Sequence, residues 1–382
     1  MKTEMFDQLS LLSCHTELEA DGDQTCLNKD NQPIRDFAIT SASLPNGKHI
    51  QLLKTLLTSA CERNCFYCAF RSGREFHRCT LKPHEMALSF MSLHQAGIVD
   101  GIFLSSGIIG GGIKTQDNLI ATAEILRKKY SFQGYIHLKI MPGADKSQII
   151  RSMELADRLS TNLEAPSQGY LEKLAPKKVF QEELLNALLT IEEIRRNNPP
   201  YQGWRHRWPS TTTQFVVGPA GERDLDLLQR TSDLFKSAHL HRIYFMAFKP
   251  VQDTPFENLT PTSPMRQQRL YQASFLLRDY SYTIEDLSFD KNGNLFIDKD
   301  PKSTWAQINL SEHPIEINRA DFQELLRIPG IGQTNAKKII RLRRIHYLRE
   351  ISELKKAGID PKRMLPYILL DGKRPEKQPR LL

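Results

Sequence analysis

The 382-residue sequence has no apolar run approaching the roughly 20 residues that a membrane-crossing helix needs. Its first residues, MKTEMFDQLSLLSCHTELEADGDQ, carry acids where a secretory signal needs an apolar core. We therefore expect a cytoplasmic protein without a membrane partner. Cysteine is scarce, with six in the chain. That excludes a disulfide scaffold and makes the thiols reduced groups or metal ligands. The first 317 residues lack net charge, 36 Lys and Arg facing 37 Asp and Glu. Residues 318–382 hold 16 against 7, so the basic excess of the whole chain, +8, lies entirely there. A basic block of this kind is either a solvated tail or the footprint of a polyanion, most often nucleic acid. With 40% hydrophobic and 25% charged residues, wholesale disorder and collagen-like structure are excluded.

Residues 1–45 read as a poorly patterned leader with a helical start. From His49 strand-like runs alternate with helix-like stretches. The runs are HIQLLKTLL, GIFLSS, YIHLKIM, RLSTNLE, TTQFVVG and RIYFMAF. The helices fall at 83–96, 115–130, 146–155, 181–197, 222–237 and 264–280. Such alternation means parallel strands with right-handed crossovers, in an open partial barrel or a doubly wound sheet. The domain is expected over 46–285, and its active site at the carboxyl ends of the strands. A turn-rich connector spans 286–317, with a hairpin around Asn292 and Gly293. A small helical domain follows over 318–370, and residues 371–382 are expected to be disordered.

The motif richest in chemistry is Cys61-Glu-Arg-Asn-Cys65-Phe-Tyr-Cys68, just after the first run. Three thiolates on a short loop can hold three irons of a 4Fe–4S cluster and leave the fourth open. A zinc site with His77 as fourth ligand is the alternative. Cys79 has no spacing that recommends it as a fourth ligand, and Cys14 and Cys26 stand alone. In the third run His137 and Lys139 share a face, and a lysine there either enters a polar cavity or reaches solvent. In the fourth run Ser160, Asn162 and Glu164 share a face. Strand-end polar groups of this kind either bind ligands or cap the next helix. Gly110-Gly111-Gly112 forms either a phosphate cradle or a flexible loop. Trp204-Arg-His-Arg-Trp208 suits base stacking or the anchoring of a loop.

CERNCFYC in this setting resembles the signature of the radical S-adenosylmethionine (SAM) superfamily. The resemblance implies a partial (β/α)6 barrel and a 4Fe–4S cluster on Cys61, Cys65 and Cys68. It implies a 5′-deoxyadenosyl radical made from SAM, and an electron donor such as a flavodoxin or ferredoxin. Tyr67 matches the aromatic residue before the last Cys that packs near adenine. Ser105-Ser106-Gly107 stands where the family has a Gly-Gly-Glu-like stretch for the methionine amine. The acid missing there is expected to be supplied by Glu164. Ser160 and Asn162 are expected at the ribose or methionine carboxylate. Lys139 and His137 are the candidates facing substrate or cofactor.

In the basic block, NRADFQELLRIPGIGQTNAKKIIRLRRI predicts a helix capped by Asn318, a turn at Pro329–Gly332 and a second helix. Amide groups at that helix start attract an anion. The segment resembles the helix-hairpin-helix of DNA-binding and repair proteins. That implies a backbone grip by Gly330, Ile331 and Gly332, with Lys337, Lys338 and Arg341 as added charges. A degraded second copy, ELKKAGIDPKRMLPYI, has Asp360 in place of the second glycine, so it is expected to pack rather than bind. Together the signals resemble a bacterial family of radical SAM proteins with a C-terminal helix-hairpin-helix, to which DNA modification or repair is ascribed. The implied partner is duplex DNA. The competing readings are an RNA-modifying enzyme of the same chemistry and a non-enzymatic DNA-binding protein with a structural metal.

Overall fold

A computed structural model describes residues 2–16, 37–43, 47 and 49–375. The elements in chain order are α1 (Lys2–His15), β1 (Ile39–Ser43), β2 (His49–Leu56), α2 (Pro83–Gln95), β3 (Gly101–Ser105), α3 (Gly112–Glu124), β4 (Tyr135–Lys139), α4 (Lys146–Leu155), β5 (Arg158–Ser160), α5 (Gln168–Leu174), α6 (Asn186–Asn197), β6 (Ser210–Val217), α7 (Asp224–Ser237), β7 (Arg242–Ala247), α8 (Pro264–Asp279), α9 (Pro301–Asn309), β8 (Ile315–Glu316), α10 (Phe322–Arg327), α11 (Gln333–Ile345), α12 (Ile351–Lys356) and β9 (Ile368–Leu369). The chain divides into two compact units, 1–222 with 233–267, and 223–232 with 268–382. Helices α7 and α8 run through both.

The first unit holds one sheet in the order β1-β2-β3-β4-β5-β6-β7. Strands β2 to β7 are parallel, and β1 pairs antiparallel with β2. All six expected runs are strands, joined by helices as a (β/α)6 alternation. The sheet curls into a half-barrel, since residues from β1 through β7 line one inner cavity. β3 is buried throughout, as a parallel strand covered on both faces is. The outer face packs on helices through Leu53, Ile102, Ile136 and Leu159 from the strands and Phe90, Leu119 and Ile149 from the helices. Local signals set the helix starts. Pro83 occupies the first turn of α2, and Asp145 and Gln148 form a capping box on α4.

Three features differ from the sequence expectation. The described parts of the supposed leader, 2–16 and 37–43, belong to this unit, and the rest of it lies outside the described residues. Leu9 and Leu12 of α1 are fully buried, and Ser13 Oγ donates to Lys54 O while accepting from Ala38 N. β5 ends at Ser160, short of the expected 158–164. Beyond it Glu164, in a left-handed conformation at φ 64°, rejoins the sheet through a single parallel bridge to Phe215. α5 was not foreseen at all.

The second unit has its own core, including Leu325, Ile331, Ile339, Leu354, Met364 and Ile368. The supposed connector holds α9, started by an Asp300 cap and Pro301 at its first position. The expected hairpin there is a single bridge, Phe289 with Leu295. Residues 371–375 are ordered by bonds such as Gly372 N to Glu316 Oε2. The rest of the expected disordered tail, and Cys26, lie outside the described residues.

The sheet is braced from outside by Asp157. Its carboxylate accepts from Arg127 Nη2 at 3.0 Å and Ile136 N at 3.0 Å, and from Arg207 Nη2 at 3.1 Å. Arg127 and Asp157 side chains are each 2% exposed. Breaking such a pair strands a charge. We expect Asp157→Ala to cost about 3–5 kcal/mol in urea unfolding of the full chain.

Candidate functional site

The three cysteines lie on the loop that leaves the carboxyl end of β2. This loop stays locked to β3 beyond the strands proper. Leu57 N donates to Ser105 O, Gly107 N to Thr58 O and Glu62 N to Ile108 O. A Cβ on Gly107 would stand 2.2 Å from Ala60 O, so only glycine fits there. The loop turns at Cys68 N to Cys65 O, and the sulfurs of Cys61 and Cys68 accept from the amides of Ile108 and Phe70.

Cys61, Cys65 and Cys68 line one cavity of about 110 Å³. Tyr67, Ser105, Ser106, Gly107, Asn162 and Glu164 line it too, as does Lys139. Those expected residues are therefore brought together. Ser160 and His137 are not in this cavity. Ser160 Oγ meets His137 Nε2 at 2.9 Å, and both line a second cavity deeper in the half-barrel. His77 and Cys79, weighed as zinc or cluster ligands, do not line the cysteine cavity either. Cys79 is buried against Gln8 O instead.

Lys178 was not foreseen as a site residue. It follows α5 in an unremarkable stretch, yet its Nζ lies 3.0 Å from Glu164 Oε1 inside the cavity. Burial disfavours its charge, but Cys65 and Glu164 beside it hold its pKa above the ordinary lysine value. Burial likewise pushes the Cys65 thiol up, against the pull of Lys178. The Tyr67 phenol is held well above its usual range by burial and then by Glu164. Glu164 Oε2 is buried and finds no partner among the described residues. Buried polar atoms left unpaired are uncommon. Glu164 lines the cysteine cavity beside the Tyr67 hydroxyl.

Three thiols opening on one cavity are the kind of donor set that a 4Fe–4S cluster with three protein ligands takes. Zinc needs its ligands to converge at about 2.0–2.3 Å on one point, and no group of three or more His, Cys, Asp or Glu among the described residues forms such a site. A 4Fe–4S cube takes one thiolate per iron, so its ligands stand farther apart. Two other expectations resolve structurally. The amides of Gly110 and Gly111 donate to the Glu62 carboxylate, at 3.0 and 3.2 Å, which fills the supposed phosphate cradle from within. Trp208 Nε1 donates to Asn198 O and Trp204 stacks 3.8 Å from the Arg127 guanidinium, so both anchor their loop.

In the second unit, α10 is capped by Asp321 in a box with Glu324. Asn318, expected as that cap, instead clasps Leu348 through both backbone atoms, at 2.8 Å each. Gly330 has φ 87°, and a Cβ there would stand 3.2 Å from Arg363 Cβ. Ile331 is fully buried and pins the turn. The first turn of α11, from Gly332 through Asn335, lines an open groove of about 480 Å³ with Asp279 and Tyr280. Lys337 and Arg341 are exposed one turn apart. Lys338 is half-buried and donates to Ala357 O, closing the second hairpin rather than facing outward. In that second copy the second helix is reduced to a single 3-10 turn, Leu365–Tyr367. Leu354, Ile359 and Met364 join the core, and β9 pairs with β8.

Residues 311–364 match a family model described as a helix-hairpin-helix motif. No curated protein sequence matches the chain. Among solved structures it is similar to methylornithine synthase (PylB), 16% identical over 59% of this chain and 62% of that one, TM-score 0.47. It is also similar to the FeFe-hydrogenase maturase HydG from Carboxydothermus hydrogenoformans, 18% identical over 59% and 51%, TM-score 0.45. The radical S-adenosylmethionine methyltransferase TsrM from Kitasatospora setae is 13% identical over 57% and 39%, TM-score 0.40. The chain spans less than two thirds of the length of each. No helix among the described residues is long and apolar enough to cross a membrane.

Lys302 supports the hairpin turn. Its Nζ donates to Ile331 O at 2.6 Å over the Tyr280 ring. Burial, and then Arg363, lower its pKa from 10.5 to about 7. Between pH 7 and 9 the unfolded chain holds a proton that the folded chain has released, so stability rises with pH, by up to about 1.4 kcal/mol per unit. Urea unfolding of the second unit's signal is expected to show this rise, and Lys302→Met to flatten it.

Proposed function

We propose that the chain is a cytoplasmic radical SAM enzyme that modifies or repairs nucleic acid, with DNA as the favoured target. One observation carries the reading. Three thiols in a Cys-x3-Cys-x2-Cys loop open on a single cavity at the carboxyl ends of parallel strands, beside a buried carboxylate with an unused oxygen. Cys61, Cys65 and Cys68 would hold a 4Fe–4S cluster. Bound there with SAM, it would supply reductive cleavage of the cofactor to methionine and a 5′-deoxyadenosyl radical able to abstract a hydrogen atom. A flavodoxin or ferredoxin delivers the electron.

The protein's own part is to bind, orient and exclude. Glu164 Oε2 and the hydroxyls and carbonyls of Ser105, Ser106 and Gly107 accept from the methionine ammonium. Asn162 contacts the ribose or the carboxylate. Tyr67, kept protonated, packs at the adenine. Lys178 offsets the negative charge of Glu164 and the thiolates, which lowers the cost of burying them. Lys139 stands where the two cavities adjoin and, with His137, faces the substrate. Ser160 belongs with His137 on that side.

The hairpin grips phosphates through the turn Gly330-Ile331-Gly332 and the start of α11, with Lys337 and Arg341 beside it. Lys338 acts by holding the second hairpin in place.

Two experiments test this reading. The anaerobically reconstituted full chain, reduced in the presence of SAM, is expected to form 5′-deoxyadenosine. Cys61→Ser, Cys65→Ser and Cys68→Ser are each expected to abolish it. Four irons per chain with no deoxyadenosine formed would defeat the enzymatic reading. In gel shifts, duplex DNA is expected to bind without sequence preference, and Lys337→Ala to reduce the slope of log affinity against log salt by about one. Gly330→Val is expected to weaken binding at least about tenfold while the unfolding midpoint of the first unit holds. Equal or tighter binding of structured RNA in competition would move the target to RNA.

A further inference from the structure

The second cavity of the half-barrel has a character of its own. Strand register sets it. Lys54 of β2 pairs with Phe103 of β3, Phe103 with His137 of β4, and His137 with Arg158 of β5. These four side chains form one band across the inner face, and Lys139 stands one step nearer the carboxyl ends. Lys54 and Lys139 place their ammonium groups 5.9 and 5.7 Å from the centre of the same Phe103 ring. The His137 ring packs against it at a tilt of 40°, with centroids 4.4 Å apart.

The cavity these groups line holds about 60 Å³. One water-sized sphere takes roughly 10–15 Å³, so there is room for about four oxygen atoms. Ser160 and Thr212 add hydroxyls to the lining, and no aspartate or glutamate among the described residues is part of it. Lys139 is 9% exposed and Arg158 is half-buried; among the described residues Lys139 forms no ion pair, and Arg158 Nε donates to Ser210 Oγ at 3.0 Å. The carboxylates nearest in sequence are engaged elsewhere. Asp157 faces outward to Arg127 and Arg207, and Glu164 is held by Lys178 in the cysteine cavity. The electrostatic effect is felt by His137. Burial, and then Arg158, Lys139 and Lys54, hold its pKa well below the ordinary histidine value.

Buried cations without counter-charge are costly, and proteins keep them where a ligand supplies the anion. We propose that this cavity binds a phosphate group of the substrate, with Lys139 and Arg158 as its charged partners and Ser160 and Thr212 as hydroxyl donors. Thr212 Oγ1 is buried without a partner among the described residues, which leaves it free for this. Lys139, Asn162 and Gln214 line both cavities, so a phosphate held here sets the rest of the substrate against the cysteine cavity. That last step rests on the proposed function. Phosphate binding itself does not.

The test uses the full chain with iron removed, so it is independent of radical chemistry. Histidine side-chain resonances are followed by NMR, with His137 assigned from His137→Gln. Inorganic phosphate, deoxycytidine 5′-monophosphate and acetate are titrated at matched ionic strength. Saturable movement of the His137 signal by both phosphates and not by acetate is expected. Arg158→Gln and Lys139→Met are each expected to weaken it about tenfold or more, and Arg158→Lys to retain most of it. Unfolding midpoints verify that the variants are folded, and if Arg158→Gln is not, Lys139→Met decides. An unmoved His137 signal would overturn the proposal. So would an equal response to acetate, or variants that respond like the native chain, which would mean an adventitious ion only. Binding of phosphate without the nucleotide would make it a free-ion site and equally overturn the substrate role. Failure to form 5′-deoxyadenosine in the separate assay would leave phosphate binding intact and remove only its link to the cysteine cavity.

Discussion

The cysteine loop depends on a contact between two backbones. At the end of β3 the chain passes so close to Ala60 that position 107 can carry no side chain. That approach lets hydrogen bonds continue from β2 and β3 into the loop, through Ser105, Thr58 and Ile108. The loop thereby extends the sheet instead of hanging from it. Thiols placed this way inherit the rigidity of parallel strands, as a preorganised site requires. Glu164 shows the same trade. Its left-handed backbone costs about 1–3 kcal/mol, and bonds to Gln214 O and from Val216 N hold it there. The return is a carboxylate delivered into the cavity that the cysteines line.

Charge is sorted by the pleat. Along β5, Asp157 just before the strand faces outward to two arginines, while Arg158 faces inward. Along β4, Ile136 and Leu138 pack on the helices, while His137 and Lys139 look into the barrel. Period-two alternation thus gives the sheet an apolar, ion-braced exterior and a cationic interior. Next to that interior the cysteine cavity keeps the balanced pair Glu164 and Lys178. Two electrostatic environments share a wall of three residues.

Much of this was legible in the chain. The six parallel strands announced themselves as apolar runs, and the cysteine triplet and the PGIG turn fell where their spacing put them. What escaped reading did so for identifiable reasons. β1 is an edge strand of small and polar residues, ITSAS, with no period to detect. α9 begins with Asp300 and Pro301 inside a turn-rich segment, and those residues signal a helix start as readily as a loop. Asn318 has the residue type of a cap, but Asp321 has the better partner in Glu324, and Asn318 was free to clasp Leu348. Ser160 and Glu164 share a strand parity, yet they part company because β5 stops between them. Lys178 could not be found at all, since only folding brings it to Glu164.

The bond between Glu62 and the amides of Gly110 and Gly111 has a mechanical consequence. A residue between two cysteines of the motif is fastened to a loop almost fifty positions away, through main-chain N–H groups that the left-handed backbone at φ 67° and 89° presents. A side chain longer or shorter than glutamate at position 62 would miss both donors at once, and the cysteine segment would lose that mooring while the rest of the loop kept its bonds to β3.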